Sequence, residues 1–369
     1  MRFKPKVSRT KTLLALVAVA TLAIAGSASA HPTASASSQK HVYSFRFAVA
    51  VAVADPGQVF LFAPEGFGFF KQEGLDVKPL FNAGGGAALA EVAAGVANFG
   101  LSSPENLWNG IAAGEDIRGF GTVLTNSIYH QGVGVLADSP IKNYDDLHGK
   151  KIGVSSFTSG SFPHAEEDLA AHGLDPKKDV TIGPIGNSGQ AAAAIQNHTV
   201  DAAVTTETQW AILKALGLNI RFLPATPAVD QLPADVLFAK TDTLQKYPTF
   251  AARFARAVME GTVAALANPN KALDFYYKYY PEEASALTRA QNMQIMLARL
   301  KDMKLVPEQK GRWGYMPIAK YNQVQKLGLQ YGVVKKEQNV GQLFTNSMST
   351  IINRFNPKKV AARAKKLGK

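Results

Sequence analysis

Residues 45–81 read FRFAVAVAVADPGQVFLFAPEGFGFFKQEGLDVKPLF and contain the most informative pattern of the chain. Apolar and β-branched residues dominate 45–53 and 75–81, which predicts two strands. The segment between them, 57–72, follows an Asp-Pro-Gly turn and has the length and composition of a helix. This order predicts two parallel strands joined by a helix, the unit from which α/β folds are built.

The alternation of strand and helix continues along most of the chain. In the first series the pattern predicts further strands at 97–101 and 117–123, with helices at 86–94 and 104–113. In a second series it predicts strands at 132–136, 151–155, 180–184, 200–205 and 220–223, with helices at 160–172, 188–197 and 207–216. One more strand at 236–239 precedes residues that are helical by pattern to the end. The expectation is an α/β protein with mainly parallel sheets flanked by helices.

Two extended apolar segments, 132–136 and 236–239, bound the second series. The two series can form consecutive domains or two lobes between which the chain crosses twice. Extended segments on both sides suit a two-strand hinge between lobes. We therefore expect lobe 1 to comprise 42–131 and 237–353, and lobe 2 to comprise 132–236.

The first thirty residues have the pattern of a secretory signal peptide. Five basic residues precede an apolar run at 13–25, and Ala28-Ser29-Ala30 fits a cleavage site. The run is shorter than the roughly 20 residues that span a membrane, so an uncut anchor is the weaker alternative. Residues 31–41 are small and polar and are interpreted as a linker. With no cysteine to carry a lipid, a periplasmic location is expected.

The formal net charge of +12 suggests nucleic-acid binding until the charges are located. Of the 40 basic residues, five lie in 1–30 and seven in the tail, 354–369, whereas all 28 acidic residues lie between these ends. The body, 31–353, thus carries no net formal charge, and we predict no nucleic-acid partner. The basic tail is expected to be a solvated, fraying helix, with a weak hold on anionic lipid as the alternative.

Polar and glycine residues follow the predicted strands at the ends where parallel α/β sheets bind ligands. In the first series these turns contain Asp55, Gly84–Gly86 and Ser102-Ser103; in the second they lie at 155–160, 186–189 and 205–208. Each precedes a helix, whose first backbone N–H groups can hold an anion or a polar small molecule. Helix capping explains any single turn, but six in two series favour a shared cleft.

Motifs for other chemistry are weak or missing. The glycines at 84–86 and at 183, 186 and 189 match neither a dinucleotide fingerprint nor a phosphate loop. No nucleophile elbow is present, and the absence of cysteine excludes thiolate metal sites. His164, Glu167, Asp168 and His172 share a predicted helix, but no third and fourth metal ligands are evident from the sequence. We therefore predict no catalytic residue, no metal and no cofactor.

Four motifs then carry a family resemblance. They are FAPEGFGFFKQEGLDV at 62–77, AAGVANFG at 93–100, DDLHGKKIGV at 145–154 and VDAAV at 200–204. Together they resemble the periplasmic solute-binding proteins of ABC importers for nitrate, sulfonates, taurine and the thiamine pyrimidine. The resemblance covers about residues 44–270 and implies a two-lobed periplasmic binding protein of type II, whose helical tail returns to the first lobe.

By position, the resemblance also implies which residues contact the ligand. They are Asp55, Gly84, Gly85, Gly86, Ser102 and Ser103 in lobe 1, and Ser156, Thr158, Ser159 and Glu207 in lobe 2. The expected ligand is a small polar solute such as a sulfonate, taurine or nitrate-like anion held by helix N-termini. The alternative is a neutral or cationic heterocycle such as a thiamine pyrimidine precursor, which the carboxylates Asp55 and Glu207 favour.

The resemblance implies a monomer that delivers its solute to a membrane permease and ATPase. Relatives in eukaryotes synthesise the thiamine pyrimidine, but that activity resembles one that depends on a cysteine-rich motif and iron. Because this chain has no cysteine, we expect a binding protein and not an enzyme. A signalling sensor is a third alternative, for which the sequence shows no output segment.

Overall fold

A computed structural model of the protein describes residues 42–230 and 232–367. The expected signal peptide, 1–30, and the expected linker, 31–41, therefore lie outside the described residues. Within the described ranges, none of the helices combines the length and the apolar character needed to cross a bilayer.

The elements follow one another in three groups. The first group is β1 (Tyr43–Val49), α1 (Val59–Gly66), α2 (Phe69–Gln72), β2 (Leu75–Phe81), α3 (Gly85–Ala93), β3 (Phe99–Ser102), α4 (Pro104–Ala112) and β4 (Ile117–Leu124). The second is β5 (Val133–Leu136), β6 (Lys151–Val154), α5 (Ser161–Ala171), β7 (Thr181–Pro184), α6 (Ser188–Gln196), β8 (Ala202–Val204), α7 (Glu207–Ala215), β9 (Ile220–Leu223) and α8 (Pro227–Asp230).

The third group begins with a strand and is otherwise helical. It is β10 (Asp235–Lys240), α9 (Thr241–Lys246), α10 (Pro248–Ala267), α11 (Pro269–Tyr279), α12 (Pro281–Ser285), α13 (Arg289–Asp302), α14 (Ile318–Gln330), α15 (Val340–Leu343), α16 (Ser349–Ile352) and α17 (Pro357–Lys366). Short 3-10 turns lie at Asp145–Leu147 and Pro307–Gln309.

The first sheet has the strand order β2-β1-β3-β10-β4. Strand β1 pairs in parallel with β2 and β3, whereas β10 is antiparallel to both β3 and β4. Because β10 comes after every strand of the second sheet, the chain leaves the first sheet after β4 and returns to it at β10. The return explains why the first sheet is mixed although its early connections are parallel crossovers.

The second sheet repeats this arrangement with the order β7-β6-β8-β5-β9. Strand β6 pairs in parallel with β7 and β8, and β5 is antiparallel to β8 and β9. Each sheet thus contains one antiparallel strand that follows a crossing from the other sheet. The fold is α/β with two lobes, and each lobe is a mixed sheet flanked by helices.

The C-terminal helices complete the core of the first lobe. The ring of Phe254 on α10 stacks on Phe99 of β3 with centroids 4.9 Å apart, and it packs edge-on against Phe47 of β1 at 5.0 Å. All three side chains are fully buried. Burial of each such ring stabilises the fold by about 1.5–3 kcal/mol, which fixes the helical segment on the sheet that β10 joins.

Residues 45–81 differ from the sequence prediction at two points. The helix expected at 57–72 divides into α1 and α2, because Gly68 adopts a left-handed conformation with φ of 82°. Strand β1 ends at Val49 and not at residue 53. Residues 50–58 are thereby released from the sheet to form the loop that enters the space between the lobes.

The basic tail also differs from the expectation of a fraying segment. Helix α17 buries Val360 and Ala364 and lies against α10. The Asn268 side chain donates hydrogen bonds to the carbonyl oxygens of Ala364 and Leu367 at 2.9 and 2.8 Å. An apolar face and these two bonds hold the helix, while its basic residues lie on the exposed side.

Candidate functional site

A cavity of about 70 Å³ lies between the two lobes, where the loops after β1, β2 and β3 face those after β6, β7 and β8. Ligands of open α/β sheets bind at these strand ends. The polar lining groups are contributed by both lobes: Asp55, Gln58, Ser103, Tyr129, Ser155, Ser159, Asn187, Thr206, Thr208, Gln209, Asp235 and Arg299. A solute in this position contacts both lobes at once.

Asp55 is buried in the loop between β1 and α1. Its Oδ1 accepts a hydrogen bond from the Gly57 N–H at 2.6 Å, and its Oδ2 lies 3.4 Å from Nε2 of Gln209, across the cavity. Burial raises the pKa of the Asp55 carboxyl, against weaker lowering by the Gly57 N–H and the charge of Arg299. The structure therefore places this predicted residue on the cavity wall, with one oxygen fixed by its own turn.

Arg299 is a buried cation of the site that no sequence motif identifies. It lies on α13, and its Nε is 2.9 Å from a carboxylate oxygen of Glu207 while its Nη1 is 3.7 Å from Asp235. Burial raises the pKa of Glu207, and the charge of Arg299 at 2.9 Å counteracts that rise and favours the ionised carboxylate. Burial likewise raises the pKa of Asp235. Glu207, a predicted ligand contact, does not line the cavity and instead pairs with the cavity residue Arg299.

The sign of the cavity charge follows from this cluster. Among the described residues that line the cavity, Arg299 is the only basic side chain, and its charge is already opposed by Glu207 and Asp235. Asp55 adds a further carboxyl to the same wall. Carboxyl groups thus outnumber cations, so the side chains favour a ligand that donates hydrogen bonds or carries positive charge.

The glycine turn at 84–86 makes close backbone contact between the lobes. Gly84 and Gly85 line the cavity, and the Gly86 N–H donates a hydrogen bond to the Thr158 carbonyl at 2.8 Å. Gly84 has a φ of 131°, and a Cβ there would lie 2.7 Å from the Ser159 backbone nitrogen. Only glycine satisfies both the backbone angle and this approach.

The two serines after β3 have different positions. Ser103 precedes α4 and lines the cavity, without a side-chain bond that caps the helix. Ser102 is fully buried and does not line it, since its Oγ lies directly behind Gly85. Of this predicted pair, the structure brings Ser103 to the cavity and uses Ser102 to support the glycine turn.

Of the predicted residues at 156–159 in the second lobe, one lines the cavity and two contact the first lobe. Ser159 lines the cavity, with its Oγ bonded to the Ser156 carbonyl at 2.7 Å. The hydroxyls of Ser156 and Thr158 instead donate to the Ala83 carbonyl of the first lobe at 2.5 and 3.0 Å. These two side chains hold the lobes together and do not line the cavity.

Two wall residues leave weak signals in the sequence. Arg299 lies on the same helical face as Asn292, Ile295 and Met296, all of them buried, so a basic residue interrupts an apolar stripe. Asp235 is the first residue of β10, at a strand end that the pattern placed one residue later. Both lie far along the chain from the turns they join, which is why local patterns did not assign them.

Helix α5 and His172, which follows it, contribute to two separate clusters of polar side chains. Asp168 accepts a hydrogen bond from the Tyr144 hydroxyl at 2.5 Å and lies 3.6 Å from His172. His164 and Glu167 point elsewhere, toward Glu105 of α4. The structure therefore supplies the third candidate ligand that the sequence did not reveal.

Comparison with known proteins gives the following relationships. The model of the NMT1/THI5-like family matches residues 57–272. The chain is 26% identical over 253 residues to a 4-amino-5-hydroxymethyl-2-methylpyrimidine phosphate synthase of Uromyces fabae, covering 64% of this chain and 71% of that protein. It is 28% identical over 143 residues to the riboflavin-binding protein RibY of Chloroflexus aurantiacus, covering 39% of this chain and only 40% of that relative.

Solved structures agree with the fold described above. A protein of Bordetella bronchiseptica superposes with a TM-score of 0.69 at 24% identity, covering 84% of this chain and 96% of its own. The alkanesulfonate-binding protein SsuA of Xanthomonas axonopodis, bound to MOPS, superposes with a TM-score of 0.66 at 15% identity. The superposition covers 83% of this chain and 99% of SsuA. These similarities show the periplasmic binding protein fold.

Proposed function

The chain belongs to the NMT1/THI5-like family, and from this premise we propose that it is the periplasmic solute-binding component of an ABC importer. Lobe 1, residues 42–131 and 237–353, and lobe 2, residues 132–236, close on one small solute. The closed form then presents the solute to a permease and its ATPase. Binding and closure are coupled because only the closed form offers hydrogen-bond partners from both lobes.

The proposed ligand is a neutral or cationic nitrogen heterocycle of the aminopyrimidine type. The observation that carries this choice is the pair of cavity carboxyls, Asp55 and Asp235, with no unopposed cation among the described lining residues. Amino and protonated ring nitrogens donate to carboxylates, and such charge-assisted bonds are the stronger class. The relative from Uromyces fabae is named for a pyrimidine, which agrees with this class.

A sulfonate-type anion is the second candidate ligand. It is favoured by one feature: the residues that precede α3, α4, α5, α6 and α7 all line the cavity. They are Gly84, Ser103, Gly160, Asn187 and Thr206. Helix N-termini attract anions. An anion there would, however, lie beside the Asp55 carboxyl, which repels it when ionised.

Calorimetric titration separates these ligands. We expect 4-amino-5-hydroxymethyl-2-methylpyrimidine to bind with one-to-one stoichiometry and taurine and ethanesulfonate to give no heat of binding. The variant D55N keeps the acceptor for the Gly57 N–H but loses the charge, and should bind the pyrimidine about 10- to 100-fold more weakly.

The matched control for that titration is D138N, which removes an exposed carboxylate of the second lobe. Its affinity should equal that of the unmodified chain. If sulfonates bind and the pyrimidine does not, the ligand is a sulfonate-type anion and the heterocycle proposal is wrong. Recovery of a chemically changed pyrimidine would replace the binding function with an enzymatic one.

A further inference from the structure

Three buried side chains meet between the lobes, beside the cavity and outside its wall. Glu105 comes from the first turn of α4, and His164 and Glu167 come from α5. One ligand atom of each lies within 4.8 Å of the others, and the relative exposures are 0%, 1% and 0%. The spacing of three residues on α5 puts His164 and Glu167 on one helix face.

Most polar atoms of these side chains lack a hydrogen-bond partner among the described residues. Both carboxylate oxygens of Glu167 and both ring nitrogens of His164 make no hydrogen bond with the described part of the chain, and the Glu105 carboxyl has only the Ser103 hydroxyl and its own backbone N–H beside it. Buried polar atoms are nearly always bonded, and an unpaired buried carboxylate is strongly disfavoured. A bound metal cation would satisfy two such carboxylates and an imidazole at once.

We infer that Glu105, His164 and Glu167 form a binding site for one divalent first-row transition ion, for which Zn²⁺ is the probe. Two carboxylate oxygens and one imidazole nitrogen are ligands that such ions accept, whereas Ca²⁺ prefers an all-oxygen site and Cu⁺ prefers sulfur. Two carboxylates also balance the charge of the ion.

The placement of the three ligands links this ion to closure of the lobes. Glu105 belongs to the first lobe, and His164 and Glu167 belong to the second, so the ligand set is complete only when the lobes are together. The ring of His164 packs on Tyr129, which lines the cavity, with centroids 4.2 Å apart. A bound ion therefore favours the closed form, and by linkage the ion and the solute increase each other's affinity.

The test uses the purified protein after removal of metal by chelation. Calorimetric titration with ZnCl₂ should show one ion per chain, and crystals should show zinc anomalous scattering between the three side chains. Each of E105Q, H164Q and E167Q should weaken zinc binding by at least about 100-fold, since loss of even an outer partner of a metal ligand costs 10- to 100-fold. Circular dichroism verifies that each variant is folded.

Two matched controls keep the assignment specific. The variant E166Q removes the neighbouring carboxylate on α5, and H148Q removes an imidazole that lies 3.6 Å from Asp179 on the surface. Both should bind zinc like the unmodified chain. Absence of stoichiometric zinc, anomalous density elsewhere, or equal binding by H164Q and E167Q would overturn the inference. None of these results depends on the identity of the organic solute.

Discussion

Gly84 lies at a close approach of the two lobes that leaves no room for a side chain. Its φ of 131° and the 2.7 Å approach to the Ser159 nitrogen both exclude a Cβ. The variant G84A should therefore disfavour the closed form by about 1–3 kcal/mol and weaken solute binding roughly 5- to 150-fold. Calorimetry measures the affinity, and small-angle scattering measures the remaining compaction.

The matched control is G189A, because a Cβ at Gly189 meets nothing within 4 Å and the residue lies inside α6. Its solute affinity should be unchanged. If G84A and G189A bind equally well, the glycine turn does not limit closure, and its position in the cavity wall has another cause.

Glu260 offers a prediction about stability and pH that is separate from the ligand site. It is half-buried on α10, and burial raises its pKa from 4.5 to about 7, helped by the charge of Glu73. Between about pH 4.5 and 7 the folded state therefore keeps a proton on Glu260 that the unfolded state has released. The free energy of unfolding decreases as the pH rises through this range.

Replacing this carboxyl removes that cost. The variant E260Q should melt at a higher temperature than the unmodified protein at pH 8 and at the same temperature below pH 4.5. Thermal unfolding followed by circular dichroism at the two pH values tests the sign. A lower melting temperature of E260Q at pH 8 would mean that the ionised carboxylate stabilises the fold through Arg256 or Arg363.

At the scale of elements, α13 carries the cation on which the cavity wall depends. Arg299 is buried against Glu207 and Asp235, whereas Arg289, on the same helix, pairs with Asp274 near solvent. At about pH 8.5, R299M should lower the free energy of unfolding by about 3–5 kcal/mol, because it leaves buried carboxylates unpaired. The control R289M should cost about 1 kcal/mol or less.

A second substitution tests the cause of that loss. Adding E207Q to R299M removes one of the unpaired carboxylates and should restore part of the stability in urea unfolding. Equal losses for R299M and R289M would show that the buried cluster contributes no more than a surface pair. No recovery in the double variant would assign the loss to packing of the Arg299 stem.

The elements also show what the sequence could and could not predict. The turns at Asp55, Gly84 and Ser103 are recognisable in the sequence because turn and cap chemistry is local. The family resemblance implies that Ser102, Ser156 and Thr158 contact the ligand, whereas the structure places Ser102 behind Gly85 and bonds Ser156 and Thr158 to the Ala83 carbonyl. Contacts between lobes depend on how two sheets face each other, and no local pattern records that.

At the scale of the whole molecule, the two lobes share several polar contacts but no covalent link besides the chain. Gly86 and Thr158 join backbone to backbone, and Ser156 joins the Ala83 carbonyl. Glu105 belongs to the first series of elements and His164 and Glu167 belong to the second. No local sequence pattern therefore connects these three residues. These residues meet only in the folded chain, where the first turn of α4 lies against α5.

The most direct test of the account is small-angle X-ray scattering of the unmodified protein during titration with 4-amino-5-hydroxymethyl-2-methylpyrimidine. Lobes that close on one solute predict a radius of gyration that decreases and reaches its final value at one equivalent. A radius that stays constant through saturation would contradict capture by closure.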